Sequence, residues 1–350
     1  MQHDLMKKMA VFCSILCIAA MGCILYLSAN KVITISDVAQ DEVLKTEKIT
    51  EKKENEEHIL TFILGKSDTS YLRIPLPEGC KADDIAIENH YMDQELCIVV
   101  KGAEETFYVD NAISGNRQMV REGKWEALKD EIKLIFRLTG IFEYRTILEN
   151  NNLYVSFLSP KEVYDKIVVI DPACGGGNDG LVVEGIREKD ITLEIAQKLK
   201  EKLDKTDIKV YYTRMDDVNP GEKERVFLAN EIRADMYIRI QVDSCEDAGV
   251  YGTTTVYNGD YFIPGFGSVE LADTLEREVV TSIKGKALGL SEAQIEEYAI
   301  RNITIPAAAV KVGCITNRQE ASLLVREEYQ ERIADGIYNA ILKIYEGADK

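Results

Sequence analysis

The order of apolar and polar positions divides the chain into stretches with different physical demands. Residues 9–28, MAVFCSILCIAAMGCILYLS, form an apolar run without a charge. About 20 such residues, wound as a helix, cross the hydrocarbon of a bilayer. Lys7 and Lys8 stand just before it. The positive-inside bias therefore predicts a cytoplasmic stub over residues 1–8 and export of everything that follows. The run is longer than the apolar part of a secretory signal, which predicts an uncleaved anchor. Residues 29–58 turn polar, and from Asp41 to His58 nearly every residue is Lys, Glu, Asp, Thr or Asn. Such a segment has no core of its own and reads as a solvated stalk.

Residues 59–160 carry short apolar or β-branched runs at Ile59–Leu64, Tyr71–Ile74, Cys97–Val100, Phe107–Val109, Ile132–Leu138, Phe142–Leu148 and Leu153–Phe157. Pro77-Glu78-Gly79, Ser114-Gly115-Asn116 and Asn150-Asn151-Asn152 separate them, which predicts a small β-rich domain. Over residues 165–350 the period switches between strand and helix. Strands are expected at Lys166–Asp171, Lys209–Thr213, Met236–Gln241, Gly252–Tyr257 and Ala307–Val312. Helices are expected at Thr192–Leu203, Glu222–Arg233, Ser268–Ser282 and Glu327–Glu346. Leu193, Ala196, Leu199 and Leu203 define one helical stripe. Ile333, Ile337, Ile341 and Ile344 define another, with Gly347 placed to end it. The alternation predicts an α/β layer fold, a largely parallel sheet flanked by helices.

Charge and composition narrow the function. With 42 Lys and Arg against 60 Asp and Glu, the net charge of −18 excludes nucleic-acid binding through a basic field. The three histidines are His3, His58 and His90, so the α/β domain contains no imidazole. Of the eight cysteines, Cys13, Cys17 and Cys23 lie in the apolar run. The remaining five are an odd number, so at least one thiol stays free or pairs between chains. Cys80 with Cys97 is a candidate bridge in the β-rich domain. Cys174, Cys245 and Cys314 stand at or just after strand ends, where a disulfide or a soft-metal site is a candidate.

Five blocks in order carry a family resemblance: VVIDPACGGGNDG (168–180), GIREKDITLEIA (185–196), TRMDD (213–217), ERVFLANEIRADMYI (224–238) and PAAAVKVGCITN (306–317). Residues from about 166 to 345 resemble the zinc-dependent N-acetylmuramoyl-L-alanine amidases, the family often called Amidase_3. By its position, the β-rich domain resembles the amidase N-terminal (AMIN) modules that localise cell-wall enzymes. The resemblance implies cleavage of the amide between the lactyl group of N-acetylmuramic acid and L-Ala. Two His and one Glu would hold zinc, which activates water, and a second Glu would act as general base.

Placed position by position, this sequence departs from that pattern at three of four places. Cys174 stands for the first His and Gln241 for the second. Lys311 stands for the general-base Glu, and Glu188 alone keeps its identity as ligand. A thiolate can bind zinc, but a neutral amide is a poor zinc ligand. Lys311 is the severe change, because an ammonium has no lone pair for a proton. Two like unit charges ~4 Å apart repel by ~4 kcal/mol at an effective dielectric of ~20, and a divalent ion doubles that. Lys311 is therefore expected to pair with Glu188 in place of the metal.

Other chemistries fit less well. The run Gly175-Gly176-Gly177 lacks the Gly-Lys-Ser/Thr of a phosphate loop. Cys174 as a nucleophile would have Lys311 as its one obvious activator. Tyr261–Gly267 is expected as a packed loop or as a lip over a groove. These readings predict a single-pass protein of the cytoplasmic membrane with its main domains outside and no intact catalytic set or cofactor. Expected partners are peptidoglycan, a stem peptide or a cell-wall hydrolase. The alternative is an active zinc amidase with unusual ligands. Drift of all four positions into plain packing is the bland alternative.

Overall fold

A computed structural model of the chain describes residues 32–33, 58–64, 70–260 and 263–348. The expected membrane span at 9–28 and nearly all of the expected stalk at 29–58 lie outside them. Among the described residues no helix is long and apolar enough to cross a membrane. The chain divides into two compact units, one ending at Leu158 and one beginning at Ser159.

The first unit has two sheets. One runs in the order His58–Ile59, Val120–Leu128, Glu131–Leu138, Glu95–Lys101, Ile85–His90, all antiparallel. The other runs in the order Val32–Ile33, Glu143–Glu149, Asn152–Leu158, Leu72–Pro75, Ile113–Gly115, Phe62–Leu64. Leu72, Ile74 and Val155 of the second sheet share one apolar core with Ile98, Leu134 and Phe136 of the first. Alternation drives this, since every second residue of Glu131–Leu138 turns inward. The expected strand at Phe107–Val109 is instead a helical turn, Phe107–Asp110. Tyr108 is buried there and donates to Pro75 O at 3.0 Å, so burying its ring needs no ladder. Cys80 and Cys97 are free thiols, which removes the bridge expected between them.

The second unit is an α/β domain. The six strands of its main sheet lie in the order Lys209–Tyr212, Ile167–Pro172, Met236–Asp243, Ala307–Cys314, Thr253–Tyr257, Ala287–Glu292. The first four are parallel to their neighbours. Thr253–Tyr257 runs antiparallel to Ala307–Cys314, so the sheet is mixed rather than uniformly parallel. The reason is chain length, because residues 244–252 are too few for a parallel crossover of about a dozen residues. Ile167–Pro172 is buried throughout, as a central parallel strand requires.

One sheet face packs against helices Glu188–Leu203, Ser268–Ile283 and Glu327–Ala348. The first helix begins earlier than its apolar stripe suggested. It seats Ile191, Ile195, Leu199 and Leu203 in the core, with Leu193 only half-buried. The last helix runs through Gly347 to Ala348 instead of stopping at the glycine. Gly336, within it, is the glycine that packing requires. A Cβ there would lie 2.5 Å from Val279 Cα of the neighbouring helix.

A disulfide joins Cys245 to Cys314, 69 residues apart, with Cα atoms 6.1 Å from each other. It ties together the segments that leave the two central strands. Closing a loop of this length removes about 4 kcal/mol of unfolded-state entropy in the chain-entropy model. Replacing both cysteines by serine is expected to lower unfolding free energy by about 2–4 kcal/mol. Urea titrations with and without reductant check this: reductant should destabilise the parent and leave the double variant unmoved.

Candidate functional site

Strand register decides which side chains meet. On Met236–Asp243 the residues Met236, Ile238, Ile240 and Val242 enter the helix-packed core. Alternation turns Tyr237, Arg239, Gln241 and Asp243 to the opposite face. Parallel pairing sets Asp171 beside Arg239 and Gln241 beside Lys311, and antiparallel pairing sets Thr254 opposite Lys311. Asp171, Arg239, Gln241, Lys311 and Thr254 thus form a polar band across four strands.

The deep end of the band is a buried ion cluster. Asp171 is fully buried and accepts from Arg225, Tyr237 and, at 2.5 Å, Thr213 Oγ1. Arg239 lies 3.3 Å from Asp171 and makes a bidentate pair with Glu222 at 2.8 Å for both bonds. Burial opposes ionisation of Asp171, but the Arg225 and Arg239 guanidiniums outweigh it and hold the carboxyl below the usual range. Arg225 also donates to Cys174 O at 3.1 Å, and Arg214 donates to Ala173 O at 2.9 Å and Pro172 O at 3.0 Å. The guanidiniums therefore fix the backbone from which the Gly-rich loop departs.

That loop is clamped at its other end too. Lys189, almost fully buried, donates to Gly176 O at 2.7 Å and pairs with Asp179 at 2.9 Å and Asp217 at 3.1 Å. Cys174 adopts φ +66°, a left-handed conformation uncommon for a side chain with a Cβ. Gly180, at φ +67°, is obligatory, since a Cβ there would lie 2.5 Å from Glu188 Oε2 and 2.6 Å from Cys174 Sγ.

Glu188 and Cys174 meet, as the sequence places them, but their chemistry is closed. Leu181 N donates to Glu188 Oε2 and Val242 N to Glu188 Oε1, both at 3.0 Å. Burial, then the adjacent Glu188 carboxylate to which it hydrogen-bonds, pushes the Cys174 thiol up to about 12. A protonated thiol is neither a nucleophile nor a metal ligand. Lys311 does not activate it, and it does not pair with Glu188 as expected. Its ammonium stands 3.1 Å from Glu297 Oε1 and 3.8 Å from Asp243 Oδ1. The physical reason is placement: Glu188 is turned to the amides of Leu181 and Val242, whereas Glu297 and Asp243 bring carboxylates within ion-pair distance of Lys311. Gln241 Oε1 is buried and accepts no hydrogen bond from the described residues.

These residues do not fit a zinc ion. The donors on offer are a neutral thiol, a carboxylate with both oxygens engaged, an amide and a cation. Among the described residues no three His, Cys, Asp or Glu side chains converge. Of the three strand-end cysteines, Cys245 and Cys314 form the disulfide and Cys174 stays free. Thr316 Oγ1 braces that disulfide, donating to Cys245 O at 2.9 Å and accepting from Cys245 N at 3.0 Å. Of the segment Tyr261–Gly267, residues 261–262 lie outside the described residues.

Sequence reasoning missed Asp243, Glu297, Lys189 and the arginine cluster. Asp243 follows Gln241 by two on one strand, and that spacing was signal enough. Glu297 sits on a loop, where no periodicity points to it.

A family model for N-acetylmuramoyl-L-alanine amidase matches residues 168–343. The uncharacterized protein YqiI of Bacillus subtilis (strain 168) is 34% identical over 181 residues, which are 52% of this chain and 85% of that protein. The germination-specific N-acetylmuramoyl-L-alanine amidase of the same strain is 29% identical over 238 residues, covering 62% of this chain and 97% of its own. A crystal structure of an N-acetylmuramoyl-L-alanine amidase from Clostridium difficile 630 superposes with a TM-score of 0.48 at 31% identity, over 52% of this chain and 97% of that one.

Two outcomes follow from this geometry. Alkylation of Cys174 by iodoacetamide should keep rising about tenfold per pH unit from pH 8 to 10, where an ordinary thiol of pKa ~8.5 levels off. Glu188→Gln should shift that profile to lower pH, read by mass spectrometry of the Cys174 peptide. Asp171→Asn should cost about 3–5 kcal/mol of stability, since it removes the carboxylate to which the buried Arg225 guanidinium donates, while Arg239 keeps Glu222. The folded-state pKa of Asp171 lies below its unfolded value of ~3.9, so this stabilisation is complete above that pH and disappears as pH falls through the folded value. Denaturant unfolding at pH 7 and at pH 3 measures both effects.

Proposed function

The chain belongs to the N-acetylmuramoyl-L-alanine amidase family, and on that premise we propose that it binds peptidoglycan, or its stem peptide, without hydrolysing it. The observation that carries the reading is the ion pair of Lys311 with Glu297. It occupies the position at which the family resemblance expects a carboxylate base. Hydrolysis of an amide needs an activated water and a group that takes its proton. Glu188 is engaged by two backbone amides and Cys174 holds its proton. These bonds support a site that holds a ligand in place of one that activates water. A partner cell-wall hydrolase that shares this ligand is the regulatory form of the same role.

The place of action in this reading is the outer side of the cytoplasmic membrane. Two features support it. The uncharged run at residues 9–28 has the length of a membrane span. The Cys245–Cys314 disulfide belongs to the class of bonds that persist in oxidising compartments.

The test uses the purified full-length chain. Elemental analysis is expected to find substoichiometric zinc, and incubation with peptidoglycan to release no peptides that begin with L-Ala. The same preparation is expected to sediment with insoluble cell wall. One zinc per chain together with turnover would overturn the reading in favour of an active zinc amidase using Cys174, Glu188 and a further group.

A further inference from the structure

The first unit takes up the N-terminal part of the chain at a sheet edge. Val32–Ile33 pairs antiparallel with Glu143–Glu149, Val32 opposite Ile147 and Ile33 opposite Thr146. His58–Ile59 is the edge strand of the other sheet of the same unit. Both ends of residues 34–57 are thus tied into one unit, so this segment does not space that unit from a membrane. Residues 29–31 alone separate the uncharged run at 9–28 from the sheet. Ser28 stands four residues before Val32, and four residues reach at most ~14 Å. Ile147 lies one strand further, ~4.8 Å.

The sheet face beside that edge has a chemistry of its own. Leu72, Leu148, Leu153 and Val155 pack into the core. Alternation therefore turns Arg73, Arg145, Ile147 and Tyr154 to the outer face. Register sets Ile147 opposite Tyr154 and Tyr154 opposite Arg73. Tyr71 meets Tyr154 edge-on, ring centroids 5.0 Å apart. Ile147 is 45% exposed, and both arginines are exposed. Arg73 donates to Asn152 Oδ1 at 2.8 Å, and neither arginine pairs with a carboxylate among the described residues. Glu143 and Glu149, at the two ends of the same strand as Arg145, have partners of their own. The arginines thus carry the open charge of this face.

We propose that this face lies on the membrane that anchors the chain, Arg73 and Arg145 donating to lipid phosphates. Tyr71, Tyr154 and Ile147 then sit at headgroup level, where an amphipathic ring is at home. The proposal rests on the reading that residues 9–28 span the bilayer, and it adds the surface that meets the lipid. Guanidinium matches phosphate in shape and charge. A weak contact suffices, because the short tether makes docking intramolecular. The rest of the chain, at a net charge of −18, is repelled by an anionic surface, which favours this face turning inward.

The test reconstitutes the full-length chain into vesicles of equal parts phosphatidylethanolamine and phosphatidylglycerol, with and without a lipid carrying a nitroxide on its headgroup. The native Trp125 is buried, so a tryptophan placed on the surface reports the quencher. Emission of Ile147→Trp is expected to fall about twofold with the nitroxide lipid, as for a ring at headgroup level. Leu128→Trp, on the other sheet, should be unaffected. Arg73→Gln together with Arg145→Gln should lower the ratio of docked to undocked chain about thirtyfold, the worth of two cationic contacts at an anionic surface. Quenching at position 147 is then lost, whereas the paired Lys substitutions should keep it. Equal quenching at the two positions overturns the proposal, as does quenching at 147 that survives the paired Gln substitutions. An unquenched Ile147→Trp whose emission shifts with protein density in the vesicle gives the face to a second copy and also overturns it. If the chain floats with the vesicles in these cases, the anchor reading stands and only the docking falls. If it does not float, both fall.

Discussion

The structure of the second unit depends on one buried carboxylate. Asp171 sits at the C-terminal end of a fully buried central strand, where an isolated charge would cost several kcal/mol. It is tolerated because two guanidiniums, a threonine hydroxyl and a tyrosine hydroxyl converge on it. Arg225 then passes its remaining donors to the carbonyls of Pro172 and Cys174, while Arg214 takes Pro172 and Ala173. The cluster thus converts a charge in the core into a rigid backbone at the loop entrance. The left-handed Cys174 is held in place by the same bonds. Beyond this anchor the Gly-rich loop is defined by the Lys189 clamp, by Gly176 N donating to Asp217 and by the backbone bonds between Gly175 and Asn178.

The site above that anchor is satisfied internally. Glu188 is matched by amide dipoles, Lys189 by Asp179 and Asp217, and Lys311 by Glu297 and Asp243. Each charge has a partner supplied by the chain itself. A pocket built around a metal needs the opposite, namely anionic or neutral donors left open toward one point. Among the described residues Gln241 Oε1, beside Lys311, is buried without a hydrogen-bond partner.

Much of this was legible in the sequence, and the exceptions have physical causes. The strands Ile167–Pro172, Met236–Asp243 and Ala307–Cys314 announced themselves as buried apolar runs. Cys174 and Glu188 could be placed together because a family resemblance orders the blocks that bear them. Strand Ala287–Glu292 escaped notice because it is a mostly exposed edge, with a glycine and no alternation. The partner of Lys311 could not be read, since Glu297 lies on a loop brought in by tertiary folding. The Cys245–Cys314 bond also needed the register of two strands, because the cysteines are 69 residues apart and carry no spacing motif. Phe107–Asp110 shows local pattern overridden, with one buried tyrosine deciding a turn against a strand.

The interlocking of these substitutions bears on how the pocket can change. Glutamate in place of Lys311 would set a third carboxylate beside Asp243 and Glu297, with no cation between them. Like charges at ~4 Å repel by ~4 kcal/mol per pair at an effective dielectric of ~20, so that single step is opposed. Histidine in place of Gln241 would add one donor and leave Lys311 beside it. Histidine in place of Cys174 would still face a Glu188 whose oxygens are held by Leu181 and Val242. Each such single change is opposed while its neighbours stay as they are. Coupling of this kind between neighbouring residues makes single-site effects non-additive.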